Sequence, residues 1–137
     1  MRNQTKDEIV QIVQKILTQH QDISLALIFG SVAKGTFIDS SDLDLAVAGS
    51  SPLSPEEKLN LIQSLSDALH REVDLVDLRV ATGTVFKQAL TTSVPIVLKD
   101  PMLLARCASR MVFEDADFHG FRRKLMKDRR KKVFDGQ

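Results

Sequence analysis

Asp42 and Asp44 stand two residues apart in the stretch DLDLAVA, 42–48. Side chains of an extended strand alternate between faces, so Leu43, Leu45 and Val47 point one way and Asp42, Asp44 and Ala46 the other. Two carboxylates at i and i+2 on one face repel each other unless a positive charge lies between them. Taken alone, such a pair fits a turn cap after Ser40-Ser41 with a local hydrogen bond at Asp44 as well as it fits a cation site. A second acidic stretch, EVDLVDL at 72–78, shifts that balance. There Val73 and Leu75 share a face, and Asp74 points opposite with Val76 and Leu78. If the two strands lie side by side, Asp74 joins Asp42 and Asp44 on the open face. Asp77 has the other parity, and Asp74 is expected over it as the third ligand. Three convergent carboxylates are a hard-oxygen site suited to Mg²⁺. Two such ions can bridge a triphosphate and activate an attacking hydroxyl.

Upstream, the apolar run SLALIF (24–29) ends at Gly30-Ser31. A glycine there lets the backbone approach a ligand closely, a following helix start would offer free N–H groups to a phosphate, and Ser31 adds a hydroxyl donor. Lys34 fits both a neutralising role toward phosphate and a solvated loop position. Two familiar loops are excluded. A Walker A loop ends in Gly-Lys-Ser/Thr, whereas Gly35 is followed by Thr36-Phe37. An EF-hand needs oxygen ligands at alternate positions and glycine at the sixth, and counting from Asp42 gives Ala46 and Val47 instead.

The elements that must carry these residues are legible in pattern. Thr5-Lys6-Asp7-Glu8 is a capping box, and Ile9, Ile12, Val13, Ile16 and Leu17 follow at helical spacing, predicting a helix from about Lys6 to His20. Ser54-Pro55-Glu56-Glu57 is a second capping box with proline at the first helical position. Leu59, Ile62, Leu65, Ala68 and Leu69 are expected to form the apolar face of that helix. SLALIF, 42–48 and 72–78 read as strands, TVFKQALTT as a short helix, and PIVLK as an edge-like strand starting at Pro95. From Pro101 the pattern is helical to about Val133, with a break near Gly120. The order is α-β-(loop or short α)-β-α-β-α-β-α, an α/β arrangement with helices packed on one face of a small mixed sheet and an extra C-terminal helix.

Composition bounds the class. With 137 residues, 43% of them hydrophobic, one domain over 1–137 is expected. No apolar run is long enough to span a bilayer, and the polar, acidic first ten residues are unlike a secretory signal. Cys107 is the single cysteine, so no intramolecular disulfide forms. A cytoplasmic location is the expectation. The three histidines are scattered and fall in no metal-binding pattern. The net charge of +1 conceals segregation: residues 122–137 hold 8 of the 19 basic residues and 2 of the 18 acidic ones. This basic tail, from about 122, reads as a solvated helix end, as a docking surface for a partner protein, or as a weak attractor of nucleic acid or a nucleotide. The absence of Trp and Tyr argues against direct nucleic-acid binding through base stacking. Phe118 and Phe121 beside the tail fit either a partner anchor or the seat of the last helix.

Gly30-Ser31, ten intervening residues and then Asp42-Leu43-Asp44 resemble the Gly-Ser-x10-Asp-x-Asp signature of the polymerase-β-like nucleotidyltransferase superfamily. VDLVDL resembles its third-carboxylate strand. The resemblance covers about residues 5–100, and the short chain looks like the minimal nucleotidyltransferases, the MNT proteins. Those most similar are antitoxins paired with a HEPN-domain ribonuclease toxin. The resemblance implies a polymerase-β-like core, ATP as substrate with two Mg²⁺, and transfer of AMP to an acceptor hydroxyl with release of diphosphate. In antitoxin members the acceptor is a tyrosine of the toxin, which is thereby neutralised. By position it implies Asp42, Asp44 and Asp74 as metal-holding catalytic residues and Gly30 and Ser31 as holders of the triphosphate. Many relatives have arginine where this chain has Lys34. Two other activities remain open: a binding-only antitoxin that blocks the toxin without catalysis, and transfer to a small molecule such as an aminoglycoside.

Overall fold

A computed structural model of the chain describes residues 4–114. The chain divides into two compact units, Met1–Leu104 and Ala105–Gln137. The first holds four strands, β1 (Leu25–Phe29), β2 (Leu43–Ala48), β3 (Val73–Asp77) and β4 (Val94–Leu98). It also holds the helices α1 (Lys6–Leu17), α2 (Gly30–Lys34), α3 (Pro55–Leu69) and α4 (Gly83–Thr91), while α5 (Pro101–Val112) runs across the division. The predicted order of elements is therefore the observed one. The basic tail, Phe118, Phe121 and the expected break near Gly120 lie outside the described residues.

The sheet order is β3-β2-β1-β4. β1 pairs antiparallel with β2 and β4, and β2 pairs parallel with β3, so the sheet is mixed. Parallel neighbours need a crossover, and α3 supplies it between β2 and β3. β4 lies at the edge, and its Pro95 sits opposite Leu27 where the register shifts. A residue without an N–H is tolerated at such a place. Gln14 of α1 ties this edge strand down by donating from Nε2 to the Ile96 carbonyl (2.8 Å).

Both capping boxes form as the sequence predicts. Glu8 N donates to Thr5 Oγ1 (3.2 Å) and Thr5 N to Glu8 Oε1 (3.1 Å). Glu57 N donates to Ser54 Oγ and Ser54 N to Glu57 Oε1, both at 3.1 Å. Each box satisfies N–H groups that the first helical turn leaves without partners. α1 ends at Leu17, about a turn earlier than expected. Gln19 and His20 instead close tight turns by donating to the Ile16 and Leu17 carbonyls.

The core lies between the sheet and two helices. Ile9, Val13 and Leu17 of α1 and Leu61, Leu65 and Leu69 of α3 pack with Ala26 and Ile28 of β1, Leu43, Leu45 and Val47 of β2, Leu75 of β3 and Ile96 of β4. The predicted face of α3 needs correction. Leu59 is 64% exposed and Ala68 is exposed, while Leu61, absent from the expected stripe, is buried. The stripe runs at i, i+4 and i+8 through Leu61, Leu65 and Leu69, with Ile62 beside it. Leu59 lies off this line, and its apolar character in the sequence carried no information about direction.

The second face of the sheet is also covered at its centre. Leu25, Leu27 and Phe29 alternate with Ala26 and Ile28, yet all five are buried. α4 contacts β1 and buries Phe86 and Ala89, which stand apart from the main cluster. Among the described residues, no helix is long and apolar enough to cross a membrane.

The corrected stripe predicts a sharp contrast between neighbours on α3. Leu61→Ala should destabilise the protein by about 3 kcal/mol, as other large-to-small core substitutions do. Leu59→Ala should cost no more than about 0.5 kcal/mol. Urea denaturation of both variants, followed by circular dichroism, reads the difference directly.

Candidate active site

The site is built where three chain segments meet at one end of β1, β2 and β3. β1 ends at Phe29, which lies opposite Asp44 of β2. Asp44 in turn lies beside Asp74 of β3. Neighbours across a ladder are about 5 Å apart and point to the same side, so Asp44 and Asp74 share a face. Asp42 precedes β2 by one residue and has the parity of Asp44. The fold thus brings the three predicted carboxylates to one edge. Asp42 and Asp74 are exposed and Asp44 is half-buried.

Asp44 bears the electrostatic cost of that arrangement. Burial pushes its carboxyl above the ordinary aspartate value, and the charges of Asp74 and Asp42 push it further in the same direction. The donor set, all carboxylate oxygen, has the chemistry of a hard divalent cation, and a cation would relieve the repulsion on Asp44. Among the described residues no three His, Cys, Asp or Glu side chains already stand in metal-holding geometry. The ladder sets Asp44 beside Asp74, and Asp42 lies close enough for its charge to act on Asp44, so the residues fit such an ion in chemistry and in side.

The parity argument that separated Asp74 from Asp77 has a structural counterpart. Asp77 lies beside Val47, is 5% exposed, and is engaged by backbone. Its Oδ2 accepts from Leu53 N (2.8 Å) and its Oδ1 from Arg79 N (2.9 Å). Asp77 therefore ties the loop after β2 to the end of β3.

Gly30 has a reason to be glycine that the sequence does not disclose. Its φ is +73°, a region that disfavours any β-carbon. A Cβ built there would also run into Oδ2 of Asp44. The residue that opens the turn after β1 thus leaves the room in which the Asp44 carboxylate stands. Gly30 and Ser31 form the first turn of α2, and Lys34 lies one helical turn on, exposed in the last turn. Gly35, at φ +76°, closes α2 in a left-handed cap whose N–H returns to Ser31 and Val32 carbonyls. Lys6 of α1 secures the other flank of α2 by donating from Nζ to the Ala33 carbonyl (2.8 Å).

Sequence reasoning missed one residue at the rim. Arg71 is 9% exposed, and its Nη1 donates to the carbonyls of Ile38 (3.2 Å) and Ser41 (2.8 Å) in the loop that leads into Asp42. Between His70 and Glu72, at a helix-to-strand corner, an arginine reads as solvated. Only the tertiary approach of the loop buries it.

Two strands that set a Gly-Ser turn against a carboxylate pair, with a third carboxylate on the next strand, define the nucleotidyltransferase class. Residues 11–102 match the family described as Polymerase beta, Nucleotidyltransferase, and the chain belongs to that family. It is 33% identical over 91 residues to the protein adenylyltransferase MntA of Shewanella oneidensis, a match covering 66% of this chain and 63% of that relative. The chain thus spans a little under two thirds of the relative's length. Among solved structures, a toxin-antitoxin with AMP-PNP is similar with a TM-score of 0.74 and 27% identity, over 87% of this chain and 96% of that one. A tri-AMPylated HEPN toxin of Shewanella oneidensis in complex with MNT antitoxin shares the fold with a TM-score of 0.72 at 23% identity, over 90% of this chain and 98% of that one.

Two consequences of this geometry are measurable without a substrate. Gly30→Ala should displace the Asp44 carboxylate and strain the turn, costing about 1–3 kcal/mol of stability by thermal melting. Asp44→Asn should do the opposite at neutral pH. An aspartate whose carboxyl is raised in the folded state carries, above the ordinary carboxylate range, a charge that the fold disfavours. Below that range both states hold the proton and the difference vanishes. The melting temperature of Asp44→Asn should therefore exceed that of the parent at pH 7, and the two should converge as the pH falls below the ordinary aspartate value.

Proposed function

We propose that the protein is an antitoxin-type adenylyltransferase, which transfers AMP from ATP to a tyrosine hydroxyl of a partner HEPN ribonuclease toxin and so neutralises it. The observation that carries this reading is the half-buried Asp44, flanked by Asp74 and Asp42 and set against the Gly30 turn. A cluster of repelling carboxylates at a strand end has no value to a protein that only binds. The relative named a protein adenylyltransferase and the fold shared with the antitoxin of an AMPylated toxin complex support the same reading. The likeness to a toxin-antitoxin holding an ATP analogue supports ATP as the donor.

In this reading Asp42, Asp44 and Asp74 would hold two Mg²⁺, and the Gly30-Ser31 turn would receive the triphosphate. Bound Mg²⁺ supplies charge neutralisation on the phosphates and lowers the pKa of an incoming hydroxyl. Asp74, exposed at the edge, takes the hydroxyl proton. The hydroxyl oxygen forms a bond to the α-phosphorus as the bond to the bridging oxygen breaks, and diphosphate leaves with that electron pair. Lys34, one turn from Gly30, offers its charge to the departing phosphates. The acceptor class comes from the relatives and not from any residue of this chain.

The decisive measurement is intact mass of the co-expressed toxin. The parent should add one or more AMP units, and the Asp42→Asn/Asp44→Asn double variant should add none while keeping its fold. Losing both metal-holding carboxylates should lower the rate at least about a thousandfold, on the scale of removing a catalytic metal or its charge stabilisation. Undiminished AMP addition by the double variant would refute the proposal. Full neutralisation of the toxin by a double variant that adds no AMP would instead establish a binding-only antitoxin.

A further inference from the structure

The ten residues between Ser31 and Asp42 fall into two parts, α2 and a loop without regular structure that runs to Ser41. The loop folds on itself, with Ile38 N donating to Ser41 Oγ (2.9 Å) and Ser41 N donating to the Ile38 carbonyl (3.0 Å). Across it lies Arg71. Nη1 donates to the carbonyls of Ile38 and Ser41, at 3.2 and 2.8 Å, and the guanidinium carbon stands 5.5 Å from the centre of the Phe37 ring. One side chain thereby holds residues 37, 38 and 41, and the last of these adjoins Asp42. On the other flank, Leu43 N donates to the Glu72 carbonyl (2.9 Å). The residue after Asp42 is tied to the residue after Arg71.

Arg71 is itself held at a constrained corner. α3 is capped by His70, which adopts a left-handed conformation (φ 55°) that disfavours a side chain. Ser66 Oγ donates to the Arg71 carbonyl (2.9 Å). The Arg71 Nε is buried and donates to no described residue. Burying a cation with a donor left unmatched is unfavourable, and an apolar residue of similar volume would pack there at no such cost. A strained corner and a poorly matched buried cation are not what stability alone favours, but they do fix a loop.

We propose that Arg71 is a positioning residue for Asp42. Its grip on the loop from Phe37 to Ser41 sets the direction from which the Asp42 carboxylate meets a divalent cation, and it touches neither nucleotide nor metal. The inference rests on the reading of Asp42 as a metal ligand.

Arg71→Met keeps the apolar stem without donors or charge. Arg71→Lys keeps the charge but is an atom shorter and lacks the planar face that lies over Phe37. In the ligand-free full chain, Arg71→Met should speed amide hydrogen exchange at residues 38–42 by about tenfold or more while leaving β1 and β2 unchanged, the mark of local rather than global opening. Titration with Mn²⁺ and a non-hydrolysable ATP analogue should give an affinity about tenfold weaker, with Arg71→Lys between the two, as for loss of one charge-assisted contact. Excess Mg²⁺ should restore AMP transfer by the variant toward the parent rate. If Arg71→Met does not fold, Phe37→Leu tests the same grip and should show the same two changes to a smaller extent. A purely structural role would lower the melting temperature and leave the Mn²⁺ affinity unmoved, which overturns the proposal. A parent chain that binds no Mn²⁺ removes the metal reading of Asp42 and this proposal with it. A parent that binds Mn²⁺ but transfers no AMP refutes only the proposed reaction.

Discussion

The structure is organised around one unfavourable interaction, the mutual repulsion of carboxylates at the edge shared by β2 and β3. Asp44 lies at its centre, half-buried, with Asp74 beside it and Asp42 two residues before it. Such a group is held only if the backbone beneath it cannot relax. β2 provides that rigidity: every strand residue except Asp44 is buried, and it is paired on both sides, antiparallel to β1 and parallel to β3. The hydrophobic burial of Leu43, Leu45 and Val47, at roughly 1.5–3 kcal/mol each, holds the strand that carries these charges. The charged edge is thus carried by the apolar face on the other side of the same strand.

The elements around the carboxylates serve that edge in distinct ways. The turn at Gly30 leaves space for the Asp44 carboxylate, because a β-carbon there would occupy it. The corner at His70 and Arg71 holds the loop that delivers Asp42. Asp77, the less favoured of the two aspartates in the sequence, spends both oxygens on the backbone N–H groups of Leu53 and Arg79. A carboxylate engaged by two amide donors on the core side of a strand fixes the neighbouring loop, whereas one exposed beside Asp44 is available to a ligand. The two aspartates of VDLVD differ in surroundings because the strand alternates.

Most of the element order was legible because local signals agreed with the tertiary outcome. Capping boxes marked the starts of α1 and α3, glycine ended β1, and Pro95 marked an edge strand. The expected stripe of α3 was less accurate, since Leu59 and Ala68 face solvent while Leu61 is buried. Two apolar residues of one helix look alike until the sheet chooses the face. The burial of Leu25 and Leu27 on the second face was equally hidden, because it depends on where α4 returns. Arg71 was invisible for the same reason: its acceptors are carbonyls some thirty residues away, and carbonyls leave no trace in a sequence.

The sequence by itself determined the type and spacing of the acidic side chains and which face of each strand they occupy. Residue type and strict alternation are local properties, so the pair Asp42 and Asp44, the distinction between Asp74 and Asp77, and the Gly30-Ser31 turn could be read before any fold was known. Only the tertiary structure decided what those residues experience. The pairing of β2 with β3 in the register that sets Asp44 beside Asp74, the desolvation that raises the Asp44 carboxyl, the clash that reserves Gly30 for glycine, and the reach of Arg71 across the loop all depend on segments distant in the chain. Proximity, burial and field arise from packing, and packing is set by the whole sheet at once.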